Sequence, residues 1–142
     1  MRDVEPFADN DFCFACGTKN PLGMQLTFMV ASLPGGEQTL CTRLTPSPHW
    51  QGFQGVMHGG LQATVMDDLM SNHLFRLERV WVATVELTLR FRHPVPMGGE
   101  LLFRSRVAGH EGRTWRMRCE CLPADVDRAQ LLTTAEGRFV EV

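Results

Sequence analysis

The sequence predicts an α+β fold in which one long helix lies across one face of an antiparallel sheet of five to six strands. Three observations carry this. From about Gly59 to about Leu77, apolar residues repeat at helical spacing: Leu61, Val65 and Leu69 recur every four positions, and Phe75 extends the stripe. Residues 80–93, VWVATVELTLRFRH, alternate instead, with Ala83, Val85, Leu87, Leu89 and Phe91 apolar and Thr84, Glu86, Thr88, Arg90 and Arg92 polar. The segments that follow are joined by short turns, which antiparallel neighbours allow and parallel ones do not. One helix is too little to cover both faces of such a sheet. With 142 residues, the chain reads as one domain spanning 1–142.

The elements follow in order. Residues 1–23 are rich in Asn, Asp, Gly and Pro and read as irregular, with one short helix near Pro6. MQLTFMV (24–30) and EQTLCTRL (37–44) flank LPGGE, a hairpin signal. TPSPHWQGFQG (45–55) is a loop by its two prolines and two glycines, and the helix follows it. After strand 80–93, the turn PVPMGGE (94–100) leads into LLFRSRVA (101–108). GHEGR turns the chain into TWRMRCECL (114–122), where Trp115, Met117, Cys119 and Cys121 share one side. A last strand runs through about 131–142.

Composition excludes several classes. The formal net charge of −2 lacks the basic footprint of a nucleic-acid binder. No stretch approaches the ~18 apolar residues of a membrane helix. The acidic start MRDVEPFADND has no apolar run of a signal peptide, and five cysteines fit reduced thiols in the cytoplasm. Thirteen of the fourteen basic residues are arginine, the residue whose planar fork suits phosphate and carboxylate.

The chemistry concentrates in FQGVMHGGLQATVMDDLM (53–70). A helix start leaves backbone N–H groups free and carries partial positive charge. Without Cβ atoms at Gly59 and Gly60, an oxygen can approach those groups directly, the geometry of an oxyanion hole. His58 sits beside them. Asp67 lies about two turns further on, on the small-residue side with Gly60, Ala63, Thr64 and Ser71. The competing reading makes Gly-Gly a flexible helix start and Asp67-Asp68 a solvated patch, and composition alone leaves both open.

GVMHGGLQATVMDD resembles the central-helix signature of the hot-dog-fold acyl-CoA thioesterases, specifically the phenylacetate-degradation type, with a histidine, two glycines and an acid nine residues after the histidine. ATVELTLRFRHPVPMGGE (83–100) is similar to the strand after that helix, and CFACGTKNPLGMQLTF (13–28) to the lead-in of one subset. The resemblance implies a sheet wrapped around one central helix and hydrolysis of an acyl-CoA or aryl-CoA thioester without cofactor. It implies Asp67 as general base or nucleophile, the Gly59 N–H polarising the carbonyl, Gly60 allowing close approach and His58 orienting the thioester or loop. Thr84 falls near the reacting water, on the polar side of its strand, so that a dimer is expected to bring it round. Gln51, seven residues before His58, matches one of two variants of an amide position. The family's site lies between two subunits, which implies a homodimer or a dimer of dimers.

Other motifs read as structure. Cys13-Phe-Ala-Cys16 lacks a second pair to complete a zinc site: Cys119 and Cys121 belong to the core face of a strand, and Cys41 with His49 is a weak completion, so no metal is expected. No βαβ pattern surrounds the pair as a redox motif requires. His49, His73, His93 and His110 read as surface or satisfied histidines. Arg90, Arg92, Arg104, Arg106, Arg116 and Arg118 form the solvated face of the sheet, or one or two of them grip coenzyme A phosphates. A non-catalytic acyl-CoA sensor would not need the acid at 67, and a hot-dog dehydratase or hydratase would lack the His-Gly-Gly start.

Overall fold

The computed structural model describes residues 2–3, 10–125 and 130–142. Its elements are β1 (Arg2–Asp3), β2 (Met29–Ser32), β3 (Gln38–Leu44), a 3-10 turn at Pro48–Trp50, α1 (Gly59–His73) prolonged by a π turn at Leu74–Glu78, β4 (Val82–Phe91), β5 (Leu101–Glu111), β6 (Thr114–Pro123) and β7 (Thr133–Glu141). The strands form one sheet in the order β1-β2-β3-β5-β6-β7-β4, and every pairing is antiparallel. The six longer strands are those the sequence predicts, and β1 adds a two-residue edge to β2. The short helix expected near Pro6 lies outside the described residues.

The sheet curls around α1, whose Val65, Met66, Leu69 and Met70 are fully buried, with Leu74 of the π turn beside them. Each such side chain contributes roughly 1.5–3 kcal/mol on burial, so this one face is the main adhesive of the fold. Opposite it stand Leu40, Phe103, Met117, Cys119, Cys121, Ala135 and Phe139 from four strands. Gly137 of β7 leaves room for them: a Cβ there would stand 2.5 Å from the Phe139 ring and 3.1 Å from Met70. The fold is the hot-dog arrangement that the resemblance implies.

Two boundaries move for physical reasons. The first long strand begins at Met29 rather than Met24, because the Met24 and Leu26 N–H groups donate to the Phe14 and Ala15 carbonyls instead of a neighbouring strand. Gln25 between them has a positive φ of 51°. Met24, Leu26 and Phe28 are nonetheless buried, so residues 10–28 form a strap over one side of the helix. In β4, the pairing with β7 slips between Thr84 and Glu86, which makes Val85 a bulge.

Candidate active site

The helix start is held from three sides. The Met57 N–H donates to the Val95 carbonyl at 2.9 Å and the His58 N–H to the Trp50 carbonyl at 2.8 Å. His58 then caps the helix: its Nδ1 accepts the Gly60 N–H at 2.9 Å, which leaves the ring proton on Nε2. The Leu61 and Gln62 N–H groups both reach the His58 carbonyl at 3.0 Å. Of the four first-turn donors, only the Gly59 N–H has no acceptor among the described residues. The resemblance implies the Gly59 N–H as the polarising donor and Gly60 as the position of close approach; here His58 occupies the Gly60 N–H.

Both glycines also answer to close packing. A Cβ on Gly59 would sit 3.1 Å from the Phe91 ring, and one on Gly60 would sit 3.1 Å from the His58 ring. Phe91 of β4 thus lies over the helix start while remaining 57% exposed. The sequence placed Phe91 only in an alternating strand, and nothing in its spacing marked it as a neighbour of Gly59.

Asp67 is half-buried on the side of α1 that faces β4, and Thr84 Oγ1 donates to its Oδ1 at 2.7 Å. This corrects the expectation that Thr84 needs a second subunit to approach the acid. Leu87 and Leu89 pair with Gly137 and Ala135 on the inner face, and without a bulge Thr84 would point outward. The extra residue at Val85 reverses the phase, so that Thr84 pairs with the buried Phe139 and turns inward. Thr64, one turn before Asp68, donates its hydroxyl to the Gly60 carbonyl at 3.0 Å.

Gln51 is not brought to Asp67 within the chain. Its Nε2 donates to the Pro48 carbonyl at 2.9 Å and its Oε1 accepts the Gly55 N–H at 2.8 Å, so the side chain ties the loop before His58.

Asp68 lies on a different side of the helix and is not a solvated neighbour. Cys13 and Cys16 direct their thiols at its Oδ1 from 3.5 and 3.6 Å, and Asn72 Nδ2 donates to its Oδ2 at 3.2 Å. Burial raises the Asp68 carboxyl above the usual carboxylate range; burial and then the Asp68 charge push the Cys16 thiol up. Cys119 and Cys121 are core thiols, raised by burial, Cys121 to about 12. Among the histidines, His73 is buried against Ser105 Oγ at 2.9 Å, while His49, His93 and His110 are exposed.

The arginines occupy the outer face of the sheet. Arg104 pairs with Glu120, Arg118 with Glu136 at 3.7 Å and Arg138 with Glu86 at 3.6 Å. A groove of about 600 Å³ runs among Arg90, Arg92, Arg104, Arg106 and Arg118. It lies across the sheet from Asp67.

Comparison with known proteins agrees with this layout. A family model described as the thioesterase superfamily matches residues 54–127, which takes in the whole of α1, β4 and the pairing of β5 with β6. The chain belongs to the thioesterase superfamily. Thioesterase superfamily relatives include the acyl-coenzyme A thioesterase THEM4 of Bos taurus, 26% identical over 129 residues, covering 91% of this chain and 51% of the relative. The chain spans about half the length of the curated relatives it matches. Among solved structures, a thioesterase superfamily protein aligns with TM-score 0.76 at 20% identity, over 99% of this chain and 70% of that one. A hypothetical thioesterase with coenzyme A from Streptococcus pneumoniae aligns with TM-score 0.69 at 10% identity, over 82% and 89%. These likenesses show the hot-dog fold. No helix among the described residues is long and apolar enough to cross a membrane.

Proposed function

We propose that the protein hydrolyses an acyl- or aryl-CoA thioester to the free acid and coenzyme A. The observation that carries the reading is the pairing of a hydroxyl-held carboxylate, Thr84 on Asp67, with a helix whose first N–H, at Gly59, has no acceptor among the described residues. With Oδ1 engaged by Thr84, Asp67 keeps Oδ2 for a water. The carboxylate takes a proton as that water attacks the thioester carbonyl. The Gly59 N–H stabilises the oxyanion that forms, where one such donor is typically worth about 3–4 kcal/mol. Collapse of the tetrahedral intermediate breaks the carbon–sulfur bond, and the thiolate leaves with the proton that Asp67 had taken. The residues require no cofactor for this chemistry.

The two halves belong to two copies of the chain. Gly59 and Asp67 are eight residues apart on α1, about 12 Å along the axis at 1.5 Å per residue. A carbonyl on the Gly59 N–H is therefore out of reach of the same chain's Asp67. Among the described residues, the ten-residue strand β4 ends the sheet with no strand paired to its outer edge, and Val85 and Phe91 on it are about half exposed. A homodimer, or a dimer of dimers, that pairs or covers this edge places one copy's helix start against the other's Asp67.

Thiol release from a panel of acyl- and aryl-CoA esters, run beside water addition to enoyl-CoA, tests the reading. Hydrolysis of at least one ester without hydration is the expected result. Tight acyl-CoA binding with no turnover would instead make this a sensor, and hydration would make it a hydratase.

A further inference from the structure

The second acid of the Asp67-Asp68 pair faces a site of its own. Cys13 Sγ, Cys16 Sγ and Asp68 Oδ1 all lie within 4.8 Å of one another, each half-buried, and they are the one such grouping among the described residues. We propose that these three atoms bind a tetrahedral divalent cation of the zinc class, with a water as fourth ligand, and that the cation pins the strap of residues 10–28 to the central helix.

Geometry carries the proposal. With metal–sulfur bonds of about 2.3 Å and a metal–oxygen bond of about 2.0 Å, a tetrahedron has sulfur–oxygen edges of about 3.5 Å. The two thiols stand 3.5 and 3.6 Å from Asp68 Oδ1. The loop between the cysteines is shaped for the same end. The Cys16 N–H donates to Cys13 Sγ at 3.4 Å, and the Gly17 N–H closes a tight turn on the Cys13 carbonyl at 2.8 Å. A Cβ on Gly17 would meet the Asp11 carbonyl oxygen at 2.4 Å, so the residue after the second cysteine is confined to glycine.

The surroundings orient the oxygen. Asn72 Nδ2 holds Asp68 Oδ2, and Arg76 Nε in turn donates to Asn72 Oδ1 at 2.9 Å, which fixes the amide. Asp68 Oδ1 is left to the sulfurs. The sequence sought the missing ligands in Cys119, Cys121, Cys41 and His49, and none of these joins the group. The missing ligand is an aspartate fifty-two residues beyond Cys16, brought in by the helix.

Metal content and cobalt titration test the site on the full-length protein, reduced and stripped with a chelator. Addition of Zn²⁺ alone is expected to restore about one equivalent per chain after desalting. Co²⁺ alone is expected to give a thiolate-to-cobalt charge-transfer band and tetrahedral d–d absorption. Cys13→Ser should abolish the charge-transfer band contributed by that thiolate and lower the affinity, and Asp68→Asn should weaken Co²⁺ binding at least tenfold. Chelator should lower the melting temperature of the wild type and leave that of Cys13→Ser unchanged. Free thiols with no metal uptake would overturn the proposal, and so would a Cys13–Cys16 disulfide in the protein as isolated. Either result concerns the wild-type chain, so a variant that fails to fold does not rescue the proposal.

Discussion

Thr84 Oγ1 stands 2.7 Å from Asp67 Oδ1, and it does so because one extra residue in β4, Val85, reverses the direction of the side chains that precede it. The contact assigns Thr84 a job: it holds one oxygen of the carboxylate and leaves the other free. A hydrogen bond to a charged group is worth about 1.5–3 kcal/mol. Thr84→Val is therefore expected to lower kcat roughly 10- to 100-fold with little change in KM, while Thr84→Ser retains most activity. Steady-state kinetics on the two variants checks this, and equal kcat values in wild type and Thr84→Val would remove Thr84 from the site.

Gly59 can be tested at the level of a single N–H. It is the first residue of α1, where proline is tolerated because its missing N–H has no intrahelical partner. His58 before it has φ −57° and ψ 130°, a conformation proline permits in its predecessor. Gly59→Ala keeps the N–H and places its Cβ 3.1 Å from the Phe91 ring, so it serves as the steric control. Gly59→Pro is expected to lose about 10²–10³ in kcat beyond the alanine variant. Matching rates for the two would show that the N–H takes no part.

Base and nucleophile roles for Asp67 differ in their isotopic signature. If a water attacks, a single turnover in H₂¹⁸O places one labelled oxygen in the product acid. If the carboxylate attacks and water then opens the resulting anhydride at the Asp67 carbonyl, the first turnover gives unlabelled product, because the transferred oxygen comes from Asp67. Mass spectrometry of the acid from a single turnover is expected to find the label in the first product.

His73 makes stability depend on pH. Burial lowers it from 6.5 to about 4, so the folded chain keeps it neutral where the unfolded chain protonates it. The unfolded state then binds more protons between pH 6.5 and about 4, and stability falls as pH drops through that window. The slope from this one group is at most ~1.4 kcal/mol per pH unit. Asp68, raised by burial, acts in the opposite sense above its ordinary value of 3.8. Denaturant melts of wild type and His73→Asn across that range isolate the histidine, and the variant is expected to show the flatter dependence. Identical slopes would contradict the assignment.

Much of this was legible before the structure because it rests on local periodicity. The period of two in residues 80–93 and the fourfold spacing of Leu61, Val65 and Leu69 name their elements, and the turn residues name the connections. The nine-residue spacing from His58 to Asp67 was equally local. What escaped were consequences of register and of distant packing. Thr84 was assigned the wrong side because a bulge leaves no mark in an alternating pattern. Asp68 reads as a structural or solvated neighbour, and the sequence does not decide between the two because its partners, Cys13 and Cys16, come from a strap more than fifty residues away. Gln51 matched a pattern position, yet its amide closes its own loop.

In the proposed dimer, Gly59 of one copy and Asp67 of the other complete each reacting centre. Co-expression of differently tagged Gly59→Pro and Asp67→Asn chains tests it directly. Each variant alone is expected to be nearly inactive in thiol release. In a mixed dimer, one site carries both lesions and the other carries neither. Random pairing makes half the dimers mixed, each with one of two sites intact, so the mixture should recover about a quarter of wild-type activity. No recovery from verified mixed dimers, or wild-type turnover by Asp67→Asn alone, would contradict the account.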